Sequence, residues 1–263
     1  MSAGRPGKGR AIETDAWVPP FTLEERLKYA LVPPALYFRY WAAKQRLKGE
    51  AEIRLLKLLC DPAKVSVDVG ANKGGYTYSL ARFSAHVHAF EPNPKMLRIL
   101  KRWRHPRATI HAVALSDRAG RATLRIPFTA KGFSNQCATL RAVALAADYK
   151  ELEVETKRLD DCDLDPVGFI KIDVEGHEKA VLDGAHETLA RDLPILLIEI
   201  EEKHTARPLE ESIAEVEALG YRGLCLRGGV LGTAERYLRE RAEASERGVP
   251  APLYIFNFIF VPR

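Results

Sequence analysis

The feature that most constrains this chain is a short β-branched run, Lys64–Val69, that ends in Gly70 and passes within a few residues into a helical pattern from about Gly75 to Phe83. A strand that empties through a glycine turn into a helix is the first half of a strand–helix–strand unit, and the pattern repeats. His86–Phe90 reads as the next strand, Pro94–Trp103 as a helix and Thr109–Ala114 as a third strand. Right-handed crossovers and a parallel sheet follow from that order. Downstream, Gly168–Val174 and Pro194–Ile200 are continuous apolar runs of the kind buried on both faces of a sheet. Helices are expected over Gly176–Ala190 and Pro208–Leu219, the latter stopped by Gly220, and strands over Tyr221–Leu226 and Tyr254–Val261. Arg121–Ile126 and Leu152–Lys157 read as two further strands around a polar insertion, and Thr233–Gly248 as a charged helix. The chain therefore divides into a flexible Gly/Pro/basic tail over 1–20, a helical segment over 21–60 and one α/β domain over 61–263.

At 46% hydrophobic and 29% charged residues, a folded chain is expected. The excess of 40 Lys plus Arg over 35 Asp plus Glu is modest and calls for no nucleic-acid partner. The basic run from Lys95 to Arg107 reads as a solvated helix face. Cys60, Cys137, Cys162 and Cys225 are too scattered for a zinc site or a disulfide framework. No export signal or bilayer-length apolar run is present in the sequence, so a cytoplasmic location is expected. Pro33-Pro34 breaks the N-terminal helical pattern, and Ala35–Leu59 then carries an apolar, aromatic stripe among basic residues. Packing on the domain edge is the expected use of that stripe, with peripheral membrane contact through 35–59 as the second reading.

The turn itself carries chemistry. Gly70 and Gly74 let backbone approach a ligand, and Asn72 tolerates a left-handed conformation. Asp68 at the strand end suits a cationic amino-acid head group, as on S-adenosylmethionine, and would repel a pyrophosphate. Glu91, at the tip of the second strand, is placed to accept hydrogen bonds from ribose hydroxyls. The dinucleotide spacing G-x-G-x-x-G is absent from Gly70-Ala71-Asn72-Lys73-Gly74.

Taken together, these residues resemble the FkbM-type S-adenosylmethionine-dependent methyltransferases. The matching stretches are Asp68–Thr77, Glu91-Pro92, Ala114–Asp117, Leu159-Asp160, Lys171–Glu178 and Gly184-Ala185, with a fainter likeness at Leu197–Glu201 and Asn257-Phe258. The resemblance implies a class I Rossmann-like α/β fold, a seven-stranded and mostly parallel sheet with an antiparallel last strand and helices on both faces. It also implies O-methylation, and it adds Ala71, Tyr76, Thr77, Pro92 and Ala114 to the cofactor-binding set of Asp68, Gly70, Asn72, Gly74 and Glu91.

A second cluster, Asp173, Glu175 and His177, follows the apolar run Phe169–Ile172 and shares the carboxyl-end rim of a parallel sheet. An alcohol acceptor must lose a proton, which makes these three the catalytic candidates, with His177 as base and the carboxylates orienting it or acting directly. Asp173 or Glu175 capping the next helix is the bland alternative. Magnesium held by Asp173, Glu199, Glu201, His177 and His204 is conceivable on ligand chemistry, but the spacing is not dense enough for a metal site to be expected. Phe128–Asp148, with Phe133, Ser134, Asn135 and Arg141, and the insertion Arg227–Pro250 are the segments expected to shape an acceptor site, the second as a lid or wall. The expected acceptor is a small molecule or glycan precursor bearing a hydroxyl. The competing classes are a nicotinamide-dependent oxidoreductase, which tight NADH binding would reveal, and a non-catalytic cofactor- or glycan-binding scaffold.

Overall fold

The structure is a computed structural model that describes residues 17–129, 132–133, 138–140, 148–205, 207–248 and 253–263. Its N-terminal layer is α1 (Leu23–Leu31), α2 (Pro34–Lys48), a 3-10 turn (Ala51–Leu55) and α3 (Leu56–Leu59). Thr22 starts α1 with a reciprocal cap: its hydroxyl accepts from the Glu25 amide at 3.2 Å, and the Glu25 carboxylate accepts from the Thr22 amide at 2.9 Å. The single helix read over Ala35–Leu59 is broken at Gly49, the cap of α2.

The α/β order then follows as β1 (Val65–Val69), α4 (Gly75–Leu80), β2 (Val87–Phe90), α5 (Pro94–Leu100), β3 (Ala108–His111) and β4 (Ala114–Leu115). Next come β5 (Gly120–Thr129), β6 (Gly132–Phe133), β7 (Tyr149–Lys157), β8 (Val167–Ile172), α6 (Glu178–Asp183) and α7 (His186–Asp192). The chain continues through β9 (Ile195–Glu199), α8 (Glu202–Thr205), α9 (Leu209–Ala218), β10 (Tyr221–Arg227), β11 (Val230–Thr233), α10 (Ala234–Glu246) and β12 (Asn257–Pro262). The helix expected over Gly176–Ala190 is two helices, parted at Gly184.

The main sheet runs β11-β10-β12-β9-β8-β1-β2-β3, with β12 antiparallel to both β9 and β10. It has eight strands rather than seven, because the chain turns at Gly228-Gly229 and lays β11 antiparallel along β10. Strand order reverses between β1 and β8, the switch point at which open α/β sheets bind ligands. Successive residues of each strand feed opposite layers. On β8, Phe169 packs with Leu197, Ile259, Phe38 and Leu80, beneath α2 and α4. Its neighbour Ile170 joins Leu196, Phe258, Val181 and Ile213, beneath α6 and α9.

The two further strands, β5 and β7, form a separate four-stranded sheet with the short β4 and β6, in the order β4-β7-β5-β6. There Leu124, Ile126, Val154 and Ala114 make a small core with Trp17 and Phe133 against it. Trp17, the first described residue, stacks edge-on against Phe133 with centroids 4.7 Å apart. The basic run of α5 departs from a purely solvated face: Lys95 is buried and pairs with Glu25 at 2.8 Å, and Arg102 lies 5.2 Å from the Tyr29 ring centre. Residues 227–248 build β11 and α10, whose Ala234 and Tyr237 enter the core, and none of them lines the cavity described next. That segment is a buttress instead of the expected lid or wall of the cavity.

Candidate functional site

A cavity of about 210 Å³ opens at the carboxyl ends of β1, β2, β8 and β9. Val69 and Gly70 end β1, Phe90 and Glu91 end β2, Asp173 and Val174 follow β8, and Glu199 ends β9; all line it. The second sheet covers it with Ala114, Leu115, Leu124, Ala138 and Leu140. The site thus has a polar floor of strand ends and an apolar roof.

Gly70 is dictated by the close approach of β1 to the chain after β8. Its φ is +78°, and a Cβ there would sit 1.9 Å from the Asp173 carbonyl oxygen. Gly70→Ala is therefore expected to cost roughly 2–5 kcal/mol, from the left-handed conformation and the forced shift together. Denaturant unfolding measures this, and an unchanged midpoint would show that the loop yields freely. Gly74 answers a different need: its φ is also +78°, and a Cβ would meet Leu100 Cδ2 at 2.7 Å and Phe38 Cε1 at 3.1 Å. It seats the turn against α5 and α2 and does not line the cavity.

Glu91 is buried, with Oε2 accepting from the Asn72 amide at 2.7 Å and Oε1 from the Asn93 amide at 2.8 Å. Burial pushes its carboxyl up to about 7, against the pull of those two amides. Asn72 holds φ +49°, and its buried Oδ1 has no hydrogen-bond partner among the described residues. Pro92 and Ala114 also line the cavity, whereas Asp68, Ala71, Tyr76 and Thr77 lie behind it.

Asp68 belongs to a buried charge cluster. Its Oδ2 accepts from the Thr77 hydroxyl at 2.6 Å, and its buried Oδ1 has no partner among the described residues. Burial raises its carboxyl above the ordinary range, opposed by the nearby Lys171. Lys171 is opposite Asp68 in the β1–β8 register and donates to Asp173 Oδ2 at 2.8 Å. Burial pulls this ammonium down, but the carboxylates of Asp173, Asp68 and Glu50 outweigh it and hold it charged. Its Nζ also stands 5.2 Å from the Tyr76 ring centre, and the Tyr76 hydroxyl donates to Glu50 Oε2 at 2.6 Å. Glu50 accepts as well from Asn257 Nδ2 at 3.0 Å and lines the cavity. Sequence reasoning gave Glu50 no role, because it precedes every matched stretch and nothing local marks it.

The second cluster meets at the same rim. Asp173, Glu175 and His177 all line the cavity. Glu175 adopts φ +52°, an uncommon conformation for a non-glycine residue. Its Oε2 lies 2.8 Å from His204 Nε2. Burial, then the carboxylates of Asp173 and Glu201, push Glu175 up to about 8, while burial and Lys203 lower His204. Near pH 7 the two are a neutral contact more than an ion pair. His177 Nε2 stands 2.9 Å from the Ser116 hydroxyl, whose own contact with Asp117 Oδ1 is 3.0 Å. The hydroxyl of Thr139 donates to the Glu175 carbonyl at 2.9 Å and pins the rim to the roof. Burial and Asp173 raise Glu199. Among the described residues no three His, Cys, Asp or Glu side chains are arranged to hold a metal ion. Ser134, Asn135 and Arg141 of the acceptor segment lie outside the described residues, while Phe133 packs on Phe128 at the roof's edge, centroids 5.0 Å apart.

An open, mostly parallel sheet with a carboxylate at the tip of its second strand, facing a cavity at the switch point, has the architecture that holds nucleoside-type cofactors. Residues 68–222 match the Methyltransferase FkbM domain, more than half of the chain, so this chain belongs to the FkbM methyltransferase family. It is 28% identical over 156 residues to the 2-O-methyltransferase NoeI of Sinorhizobium fredii, a match covering 52% of this chain and 64% of that protein. The FkbM methyltransferase of Methylobacillus flagellatus superposes with a TM-score of 0.47 and 17% identity, over 87% of this chain and 55% of its own. A protein of Streptococcus mutans in complex with SAH gives a TM-score of 0.46 and 10% identity, over 81% of this chain and 96% of its own. No helix among the described residues is long and apolar enough to cross a membrane.

Proposed function

We propose that this chain transfers a methyl group from S-adenosylmethionine to a hydroxyl oxygen, with a sugar or a hydroxylated metabolite as acceptor. The observation that carries this reading is the pairing, across one cavity, of a ribose-type carboxylate, Glu91, with a carboxyl poised for proton transfer, Glu175. The likeness to a 2-O-methyltransferase supports the oxygen acceptor. The residues present fit the cofactor: Glu91 has spare lone pairs beyond its two amide bonds, and the buried Oδ1 of Asn72, which also lines the cavity, lacks a partner among the described residues.

S-adenosylmethionine supplies an electrophilic methyl carbon on a sulfonium. Glu91 would hold the ribose hydroxyls, Asn72 and Gly70 would offer the turn to the cofactor, and Leu115, Leu124 and Leu140 would keep water from it. Lys171 fixes the carboxylate of Asp173 beside the reacting centre. Glu175 takes the acceptor's hydroxyl proton, which its raised affinity for protons favours. His177, held by Ser116, positions the acceptor at the rim. In-line geometry is the main demand of such a displacement, and a stiff rim of strand ends provides it.

Removing the Glu91 carboxylate tests the cofactor half. Glu91→Ala is expected to weaken S-adenosylhomocysteine binding by roughly 10- to 100-fold, the worth of one or two charge-assisted hydrogen bonds. Isothermal calorimetry reads this directly, and equal affinities for the two proteins would remove Glu91 from the cofactor site.

A further inference from the structure

The outer side of α2 is not used by the fold. Leu36, Tyr40 and Leu47 are 56%, 64% and 76% exposed, although Tyr37 and Phe38 of the same helix are buried. Their spacing places the three on one stripe, opposite Phe38. Arg39 and Arg46 border the stripe on one side and Lys44 and Lys48 on the other, all four exposed. The helix contains no acidic residue.

Beyond the Arg39–Arg46 border a cleft of about 570 Å³ opens between α2, the Ala51–Leu59 stretch and α4. Arg39, Arg46, Arg54, Lys57 and Arg82 line it, and no carboxylate does. Leu58, next to Lys57, is 80% exposed. The one acid of this stretch, Glu52, is buried, and Glu50 just before it is bonded to Tyr76 and Asn257. A chain with a formal net charge of only +5 has therefore gathered cations around exposed leucines on a single face.

We infer that α2 and the adjoining basic cleft form a docking surface for an anionic lipid bilayer. Charge complementarity selects that occupant. The leucines and Tyr40 enter the boundary between headgroups and acyl chains, while the arginines and lysines extend along their stems to reach lipid phosphates. Pairing two copies of this chain through α2 would bring its four cations against the same four, so self-association is disfavoured by like charge. Each cation near such a surface is worth roughly a fivefold change in partitioning, and the attraction fades with salt.

The test is co-sedimentation of the purified chain with vesicles of phosphatidylcholine alone or mixed with phosphatidylglycerol, with light scattering to record its oligomeric state. The expected result is binding to the mixed vesicles only, weakened by salt and reduced about 25-fold in Arg39→Gln/Arg46→Gln. Leu36→Ser/Leu47→Ser should also release the chain from lipid. Both pairs alter exposed positions, so melting temperature and S-adenosylhomocysteine affinity should stay at wild-type values. No binding to the anionic vesicles, equal binding to neutral ones, or indifference to both variants would overturn the inference. So would a dimer that the leucine variant disperses, since the face would then be an interface between copies.

Discussion

Lys171→Met is expected to lower the melting temperature by roughly 6–20 °C and to abolish methyl transfer. The ammonium lies among Asp68, Asp173 and Glu50, and its hydrogen bond to Asp173 is 2.8 Å long. Removing one member of a buried charge cluster costs about 3–5 kcal/mol, because the remaining carboxylates are left uncompensated. A domain of this size loses roughly 2–4 °C for each kcal/mol. The sign with pH follows from linkage. The Lys171 pKa is raised above that of the unfolded chain, so its contribution is complete below the ordinary lysine pKa and is lost only as pH rises through the folded value. The deficit of the variant is thus constant through neutral pH. Mild acid should partly rescue it, since protonating Asp68 removes one of the uncompensated charges. A variant that melts with wild type would show that Lys171 does not hold the cluster together.

Glu175→Gln is expected to reduce kcat by roughly 10²- to 10⁴-fold, the usual worth of a positioned base. The wild-type rate should climb with pH and reach half its maximum near 8, where the Glu175 carboxyl loses its proton. In the glutamine variant that climb should vanish. Stability should move the other way. Because the folded pKa lies above the ordinary carboxyl value, the protonated group's contribution is full below that ordinary value and is lost as pH rises through about 8. Glutamine cannot ionise, so the variant should melt with wild type near pH 4 and above it near pH 9. Loss of activity without the stability gain would make Glu175 an acceptor contact and leave the base elsewhere on the rim.

Much of this arrangement can be read from local sequence, and what cannot has a physical reason. Strand–glycine–helix runs such as Val65–Gly75 declare themselves, because burial on both faces demands unbroken apolar residues and a tight turn demands glycine. Glu91 was legible as a strand-end residue and Asp173, Glu175 and His177 as the turn after a buried strand, and the structure brings all four to one cavity. Asp68 was legible as important, but its geometry puts it behind the cavity, bonded to Thr77 and facing Lys171. A strand's alternation tells which face a residue takes, not how far below the rim its carboxylate stops. The His204–Glu175 contact was hidden because it joins the turn after β8 to the short helix after β9, and nothing local couples two such segments. The same holds for the eighth strand: Gly228-Gly229 marks a turn, yet pairing of β11 with β10 depends on the edge that β10 happens to offer.

The bond from Asn257 to Glu50 spans 207 positions of the chain. On a ribosome, the N-terminal helices emerge long before the strand that completes their contact with the cavity. Until β12 slots between β9 and β10, Tyr76 is the one side-chain hydrogen-bond donor left to Glu50 among the described residues, and the sheet has an open seam. Assembly of the rim is therefore a late event in synthesis, and a chain halted before β12 would carry residues 68–222, the span matched to the family, while lacking a finished site.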